Sequence, residues 1–271
     1  MRATTGDALV SSAPLPPPTD RALQDEVIRA LADAPYRASP AWRRLALADP
    51  DRVERYARFL ARHFYHERIV QFFKYSRALA RITGRRPEAV LKGGQFDALL
   101  PGAVLGSRET ARAVARLVVE HVGGAGTAIP FLADLLRYEE AMMVAEAGPR
   151  VWRDDETRAG RGERDRPERI EGTVLLELAY DLPAVLPKLL QPWNELPQAA
   201  ERRITLLVAR SSHGRVAVAK SDENVAAVVQ LADGTRTLEE LAAGAAVEIG
   251  ALRETLQGLV DLGAVRFSTG S

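Results

Sequence analysis

Residues 203–242 read RITLLVARSSHGRVAVAKSDENVAAVVQLADGTRTLEELA, and this sequence predicts the architecture of the C-terminal part of the chain. It begins with two runs rich in Val, Leu and Ala, at 203–210 and 215–221, and the sequence SSHG lies between them. Such runs around a turn sequence predict two antiparallel strands joined as a hairpin. Upstream, the Val and Leu content of 173–182 predicts a further strand.

Helix signals follow the hairpin directly. Asp222 is placed to cap the helix ENVAAVVQLAD, Thr237 and Glu240 have the spacing of a capping box, and a third helix begins at Ile249. In the third helix, an apolar stripe predicts the buried face: Leu252, Leu256, Leu259 and Val260. A small antiparallel sheet with three helices predicts a winged-helix-like domain.

Winged helices usually bind DNA. A DNA-binding domain needs an excess of basic residues, so the charge of this region indicates whether DNA binding is expected. Residues 203–271 contain seven Lys and Arg against eight Asp and Glu, and the third helix carries Arg253 beside Glu254 and Asp261. A helix that reads DNA needs a polar, basic outward face supported by phosphate contacts. We therefore expect no nucleic-acid partner. A winged-helix transcription regulator with a helical sensor domain is kept as an alternative.

The N-terminal part shows helical spacing of apolar residues instead. A helix is expected from Asp20, and a second one keeps helical period from Pro50 for about thirty residues, with Gly84 as its stop. Ser107 and Pro130 begin two further amphipathic helices. The fold class expected is therefore α+β, an N-terminal helical bundle followed by the winged-helix-like domain.

Two segments lack the composition of a packed core. Residues 1–19 include the tract PLPPP, which favours polyproline II and predicts a disordered arm. Residues 153–169 are mostly charged and contain no large apolar side chain, which predicts a solvated linker. The expected organisation is the arm, a bundle over 20–152, the charged linker, and a C-terminal domain over 170–271.

Composition limits the classes of function. The chain has 271 residues with a formal net charge of +1, so it lacks the basic excess of a general polyanion binder. It has no Cys, which excludes disulfides, thiolate metal sites and cysteine nucleophiles. No apolar run approaches the roughly 20 residues that span a bilayer. We expect a cytoplasmic protein without a membrane partner.

The bundle contains one candidate metal site. His63 and His66 share a helix face with Glu67, and a carboxylate from another helix, Glu139 or Glu140, would complete a zinc or iron site. A di-iron bundle needs Glu-x-x-His from two helices, and that motif is absent from this chain. We therefore expect neither metal ligands nor catalytic residues, and a metal-binding helical-bundle enzyme is kept as the second alternative.

Two stretches resemble known families. The sequence LADGTRTLEELA, followed by a helix that ends LVDLGAVRF, is similar to the PqqD-like recognition element of ribosomal peptide (RiPP) biosynthesis. The bundle sequence RVERYARFLARHFYHERIVQFFKYSRALARITGR, then GQFDALLP and IPFLADLLRYEEAMMVAEA, resembles the helical domain of partner subunits of multinuclear non-heme iron oxygenases.

The resemblance implies a non-catalytic partner protein. In that family the oxygenase holds the iron, and the partner binds the leader of a precursor peptide and presents its core for modification. For this chain it implies no cofactor of its own and two partners, the oxygenase in a heterodimer and the leader peptide.

The resemblance also implies a binding site. In such elements the leader peptide adds a strand to the sheet, in the groove between the third strand and the third helix. In this chain the corresponding strand is residues 215–220 and the corresponding helix is residues 251–262. Arg215 and Lys220 would meet acidic leader residues. Ordinary core packing is the alternative for Val216 and Leu256. The complete set expected at the groove is Arg215, Val216, Ala217, Val218, Lys220, Arg253, Leu256 and Gln257.

Overall fold

The structure is a computed structural model, and it describes residues 20–45, 47, 49–125, 129–148, 165–211 and 213–269. It is a mixed α+β fold, mainly helical, with a small antiparallel sheet. The fold class is confirmed at this level. The predicted arm and residues 153–164 of the predicted linker lie outside the described residues.

The N-terminal part is helical, as predicted. Its helices are α1 (Asp20–Ala32), α2 (Ala34–Ala38), α3 (Pro40–Arg43), α4 (Pro50–Phe72), α5 (Lys74–Ala78), α6 (Ala80–Thr83), α7 (Gly94–Leu99), α8 (Arg108–Gly123) and α9 (Leu132–Glu146). Two 3₁₀ turns, Pro87–Lys92 and Leu100–Gly102, connect them.

Local capping residues set the ends of several of these helices. The Asp49 carboxylate accepts a hydrogen bond from the Arg52 amide at 2.8 Å, directly before α4. Ser107 accepts one from the Thr110 amide at the start of α8. Gly84 has a left-handed backbone (φ +66°) and ends α6. The predicted helix boundaries at these positions are confirmed.

The single long helix expected from Pro50 to Gly84 is wrong, because the chain breaks at Phe73 into α4, α5 and α6. The amides of Tyr75 and Ser76 donate to the Glu139 carboxylate of α9, at 2.8 and 3.2 Å to Oε1, instead of to carbonyl groups one turn earlier. A buried acceptor on a distant helix therefore replaces the local hydrogen bonds. Apolar periodicity alone does not show such a partner.

The C-terminal part contains the strands and the remaining helices. The strands are β1 (Asp165–Arg169), β2 (Val174–Tyr180), β3 (Glu201–Arg210), β4 (Val216–Ser221) and β5 (Val265–Thr269). The helices are α10 (Leu182–Leu189), α11 (Glu223–Leu231), α12 (Leu238–Ala245) and α13 (Ile249–Leu262). The predicted cap at Asp222, the capping box of Thr237 and Glu240, and the start at Ile249 are confirmed.

The predicted strands form one antiparallel sheet in the order β2-β3-β4, in which Val208 lies opposite both Val174 and Val218. The hairpin between β3 and β4 closes with a hydrogen bond from the Ser211 amide to the Arg215 carbonyl at 2.8 Å. Gly214 has a positive φ of +75° in this turn, which a glycine adopts without strain.

The two faces of the sheet belong to different cores. On β3, Leu206 and Val208 pack into the core of the helical bundle, whereas Leu207 and Ala209 pack into a core built by α11, α12 and α13. Successive side chains of a strand point to opposite faces, which explains this division. The bundle core therefore continues across the boundary expected between residues 152 and 170.

The last five residues of the predicted linker are a strand, not coil. They form β1, which pairs antiparallel with β5 in a two-stranded sheet. Glu168 lies opposite Arg266, and the Arg266 Nε donates to the Glu168 carboxylate at 2.8 Å. The charge density of β1 concealed it, because its stabilising cross-strand partner lies almost a hundred residues later.

Asp134 of α9 holds the sheet onto the bundle. Its Oδ2 accepts hydrogen bonds from the amides of Ala179 and Tyr180, at 2.6 and 3.0 Å, where the register of β2 shifts by a bulge. The Asp134 side chain is buried, so both amides find their acceptor inside the protein.

In the part of the chain that the structure describes, no helix is long and apolar enough to cross a membrane.

Replacing Asp134 by Ala removes the acceptor of two backbone amides. We expect Asp134→Ala to lower the free energy of unfolding by about 1–3 kcal/mol, the cost of leaving partly buried donors unpaired. Asp134→Asn keeps one acceptor oxygen, so it is the matched control and should lose less. Chemical denaturation followed by circular dichroism measures both. Equal stability of Asp134→Ala and the wild type would contradict the role given to this carboxylate.

Candidate functional site

The outer edge of β4 is open in the described residues, because β4 is the last strand of the sheet and no described strand pairs with its outer side. Hydrogen-bonded and non-hydrogen-bonded pairs alternate along an antiparallel ladder. Since Ser211 and Arg215 form the closing hydrogen-bonded pair, the alternation directs the backbone N–H and C=O groups of Val216, Val218 and Lys220 outward. These groups can hydrogen-bond to an added strand.

The other edge of the sheet differs, because Asp134 occupies two amides near the end of β2. A strand added to β2 would have to displace a buried carboxylate there. β4 is therefore the better edge for strand addition.

The side chains of β4 divide between two faces. Val216 and Val218 lie opposite Arg210 and Val208, on the face that meets the bundle, and Val216 packs against the bundle core. Ala217 lies opposite Ala209, on the face that meets the C-terminal helices. Val218 is 36% exposed, which is high for a valine in a sheet.

The structure does not bring the predicted groove residues together. Leu256 is only 1% exposed and lies in the core of the C-terminal helices, so it is a packing residue. Val216 and Val218 point to the opposite face of the sheet. Helix α13 instead meets the end of β3, where Gly263 has φ +77° and any Cβ would overlap the Arg210 carbonyl oxygen.

Of the remaining predicted residues, Arg253 and Gln257 are exposed on α13, where the Gln257 Nε2 donates to Asp261 at 2.9 Å. Lys220 lies 3.6 Å from the Oδ1 of Asp181, a buried carboxylate that also pairs with Arg202. Lys220 is therefore already engaged by an acid of its own chain.

A cleft of about 420 Å³ lies where the hairpin meets the bundle, next to the first residue of β4. Its apolar wall combines residues of α4, α5, α9 and β4, namely Phe72, Tyr75, Tyr138, Met142 and Val216. Its polar lining is Arg68, Gln71, Lys74, Glu146, Gly214 and Arg215. No local sequence pattern indicates this cleft, because the bundle residues and the hairpin are far apart in sequence and each has the pattern of ordinary core or surface.

The cleft has an excess of positive charge, with three cations against one carboxylate. Arg68 pairs with Glu146 at 2.8 Å, and the Lys74 Nζ lies 5.0 Å from the centre of the Tyr75 ring. Neither Lys74 nor Arg215 forms an ion pair with a described residue. Burial raises the pKa of Tyr138 to about 12, so its hydroxyl stays protonated at neutral pH.

Glu139 lies behind this wall and is fully buried. Burial raises its pKa to about 8, although hydrogen bonds from Ser76 and Tyr75 oppose this rise. The Ser76 hydroxyl donates to Oε2, and the two amides donate to Oε1. Glu139 thus orders the start of α5, which carries Lys74 and Tyr75 of the cleft.

The residues of the candidate metal site are separated. His63 is exposed on α4, where it stacks on Phe59 and its Nε2 lies 3.4 Å from Glu67, whereas Glu139 is buried and bound to Ser76. In the described residues, no group of three His, Cys, Asp or Glu side chains could hold a metal ion. The expectation that the chain binds no metal remains a prediction.

A second surface, on the bundle, exposes large apolar side chains. Tyr56, Phe59 and His63 stack in sequence along α4, and Phe59 is 61% exposed. Together with Val27 and Leu31 of α1, Tyr56 and Phe59 line a groove of about 660 Å³. We call Tyr56, Phe59 and His63 the aromatic stripe.

No protein-family model matches this chain, and no match to it is found among curated proteins.

The raised pKa of Glu139 has a defined effect on stability. A carboxyl group with a higher pKa in the folded state favours folding when protonated, so this contribution is full below about pH 4.5 and is lost as the pH rises to about 8. We expect Glu139→Gln, which keeps an acceptor and does not ionise, to show a smaller fall of Tm between pH 5 and 8 than the wild type.

Thermal unfolding at pH 5, 6.5 and 8 measures this difference, with the exposed Glu67→Gln as the control for loss of a glutamate. If Glu139→Gln and the wild type show the same dependence of Tm on pH, Glu139 does not titrate in this range.

Proposed function

We propose that this chain is a non-catalytic partner protein that binds the leader of a ribosomally made precursor peptide and presents its core to an iron-dependent oxygenase. The observation that carries the proposal is the open edge of β4, with outward backbone groups at Val216, Val218 and Lys220 next to a cleft. Strand addition gains affinity from backbone hydrogen bonds, and pockets for alternate side chains give specificity.

The C-terminal elements are compatible with a winged-helix, PqqD-like arrangement. Helices α11, α12 and α13 follow one another around one core, and β5, which pairs with β1, follows α13. An isolated antiparallel bridge joins Glu168 of β1 to Asp233, which lies in the loop between α11 and α12. The exposed surface of α13 presents Glu254 and Asp261 with Arg253, which does not favour contacts to nucleic-acid phosphates.

In this proposal the chain contributes to catalysis through proximity. Holding the leader on β4 raises the concentration of the core peptide near the oxygenase without a reacting group in this chain. The iron and the redox chemistry belong to the partner, and the complex acts in the cytoplasm as a heterodimer with the peptide bound.

The open edge is tested with Val218→Pro, which removes an outward N–H while proline is tolerated on edge strands. A displayed library of random 12-residue peptides is selected on the full chain, and enriched peptides are titrated by fluorescence anisotropy. We expect Val218→Pro to weaken their binding at least about tenfold, the loss of about 1.4 kcal/mol. Val218→Thr keeps the N–H and is the matched control.

Both variants are checked by circular dichroism and Tm. If the folded wild type enriches no peptide, or if Val218→Pro binds the enriched peptides as the wild type does, capture at the β4 edge is wrong.

The aromatic stripe is the proposed docking surface for the oxygenase, because large exposed apolar patches mark protein interfaces. We expect Phe59→Glu to reduce recovery of a co-expressed multinuclear non-heme iron oxygenase, and to leave peptide affinity unchanged. Ile82→Glu is the matched control, since Ile82 is also an exposed large apolar residue of the bundle but lies outside the stripe. Equal recovery with Phe59→Glu and Ile82→Glu would exclude the stripe as the docking surface.

A further inference from the structure

One residue belongs to both the open edge and the cleft. Val216 directs its backbone groups outward, and its side chain lines the cleft. A strand added beside β4 therefore runs past the opening of the cleft. Its alternate side chains, about 6.6 Å apart along the strand, lie on the same face as Val216 and Val218 and point toward the bundle.

The wall of the cleft fits a large apolar side chain. Tyr75 and Tyr138 stand with ring centres 6.5 Å apart, and Met142 lies on the same wall. Aromatic rings and a thioether pack well against an aromatic or long aliphatic side chain. The volume of about 420 Å³ leaves room for a second side chain near the opening.

The charged residues of the cleft fit an acidic side chain. Glu146 is already paired with Arg68, whereas Lys74 and Arg215 form no ion pair with a described residue. An arriving carboxylate would meet two cations that form no ion pair with the acids of the described residues. A basic side chain at the same place would meet repulsion.

The helix that forms the wall is fixed at both ends. Asp134, Tyr138, Met142 and Glu146 are spaced by four residues, so they share one face of α9. Asp134 is bonded to the amides of β2, and Glu146 is paired with Arg68 of α4. Tyr138 and Met142, which lie between these two contacts, are therefore held at a fixed distance from the sheet, as a selective pocket requires.

We propose that this cleft, and not a groove along α13, is the pocket that reads the captured peptide, and that it selects an acidic segment. A large apolar side chain of the peptide lies against Tyr75, Tyr138 and Met142, and an acidic one at the alternate position meets Lys74 and Arg215. The inference rests on the proposed function, because it takes the peptide to be a strand on β4.

The test repeats the library selection on the full-length wild type and on the double variant Lys74→Glu/Arg215→Glu. The wild type is expected to enrich an acidic residue two positions from a large apolar one, and the double variant a basic residue there. In anisotropy titrations, replacing the enriched acid by Lys weakens binding to the wild type about tenfold or more, and the double variant reverses this preference.

Arg253→Glu is the matched control, because it reverses a positive charge on α13, on the other side of the sheet. It leaves the acidic preference unchanged if the cleft reads the peptide. The single variant Arg215→Glu, at an exposed position, repeats the test if the double variant has a lowered Tm.

The outcomes separate the two proposals. If peptides are enriched and depend on the β4 edge, but show no acidic preference or change their preference only with Arg253→Glu, the cleft is not the pocket and the proposed function stands. If no peptide is enriched, or if binding ignores Val218→Pro, the proposed function itself fails, and this inference fails with it.

Discussion

The hydrogen bonds from the Ala179 and Tyr180 amides to Asp134 join the two halves of this protein. At the bulge in β2, Ala179 has no partner residue in the ladder, and a partly buried amide without an acceptor is costly. A carboxylate in the first turn of α9 supplies that acceptor. Once this contact is made, the bundle face of the sheet lies against α9, and the apolar side chains Leu206 and Val208 complete the bundle core.

Glu139, five residues further along α9, performs a related task for the bundle. It accepts the amides that the break after α4 leaves without helical partners, and it does so where no water reaches it. Burial opposes its ionisation, so its raised pKa reflects a balance between desolvation and hydrogen bonds. Two acids of one helix thus fix the sheet on one side and the short helix α5 on the other, and the cleft lies between these attachments.

The elements that the sequence predicted are those with local signals. Ser107 before α8, and Thr237 with Glu240 before α12, act within three residues, so their patterns were sufficient. The strands β1 and β5 and the helix α10 were missed. β1 is almost wholly charged, and its stability comes from pairing with residues at the other end of the domain. α10 contains Pro187, which hides a helix in sequence.

In the candidate site, too, local sequence patterns predict the elements but not the contacts between them. Alternation in residues 216–221 correctly places Val216 and Val218 on one face, but it does not tell which partner covers that face. The predicted groove paired the Val216 face of β4 with Leu256 of α13. In the structure, that face of β4 meets the helical bundle, and Leu256 lies in the core on the other side of the sheet. Tyr138 and Met142 belong to the amphipathic helix that the sequence predicts after Pro130, and that pattern does not place them beside the hairpin. That they face the hairpin depends on the hydrogen bonds of Asp134, which no local pattern contains.

An open edge strand is a risk for a soluble protein, because two copies can pair edge to edge. The two edges of this sheet differ in this respect. Asp134 occupies amides of β2, and β4 carries Arg215 just before it and Lys220 near its end. If two β4 edges paired, in either direction, they would bring cationic ends close together, which opposes association. In the proposed complex, Arg215 would therefore have two effects, because the charge that attracts an acidic peptide also opposes the pairing of two β4 edges.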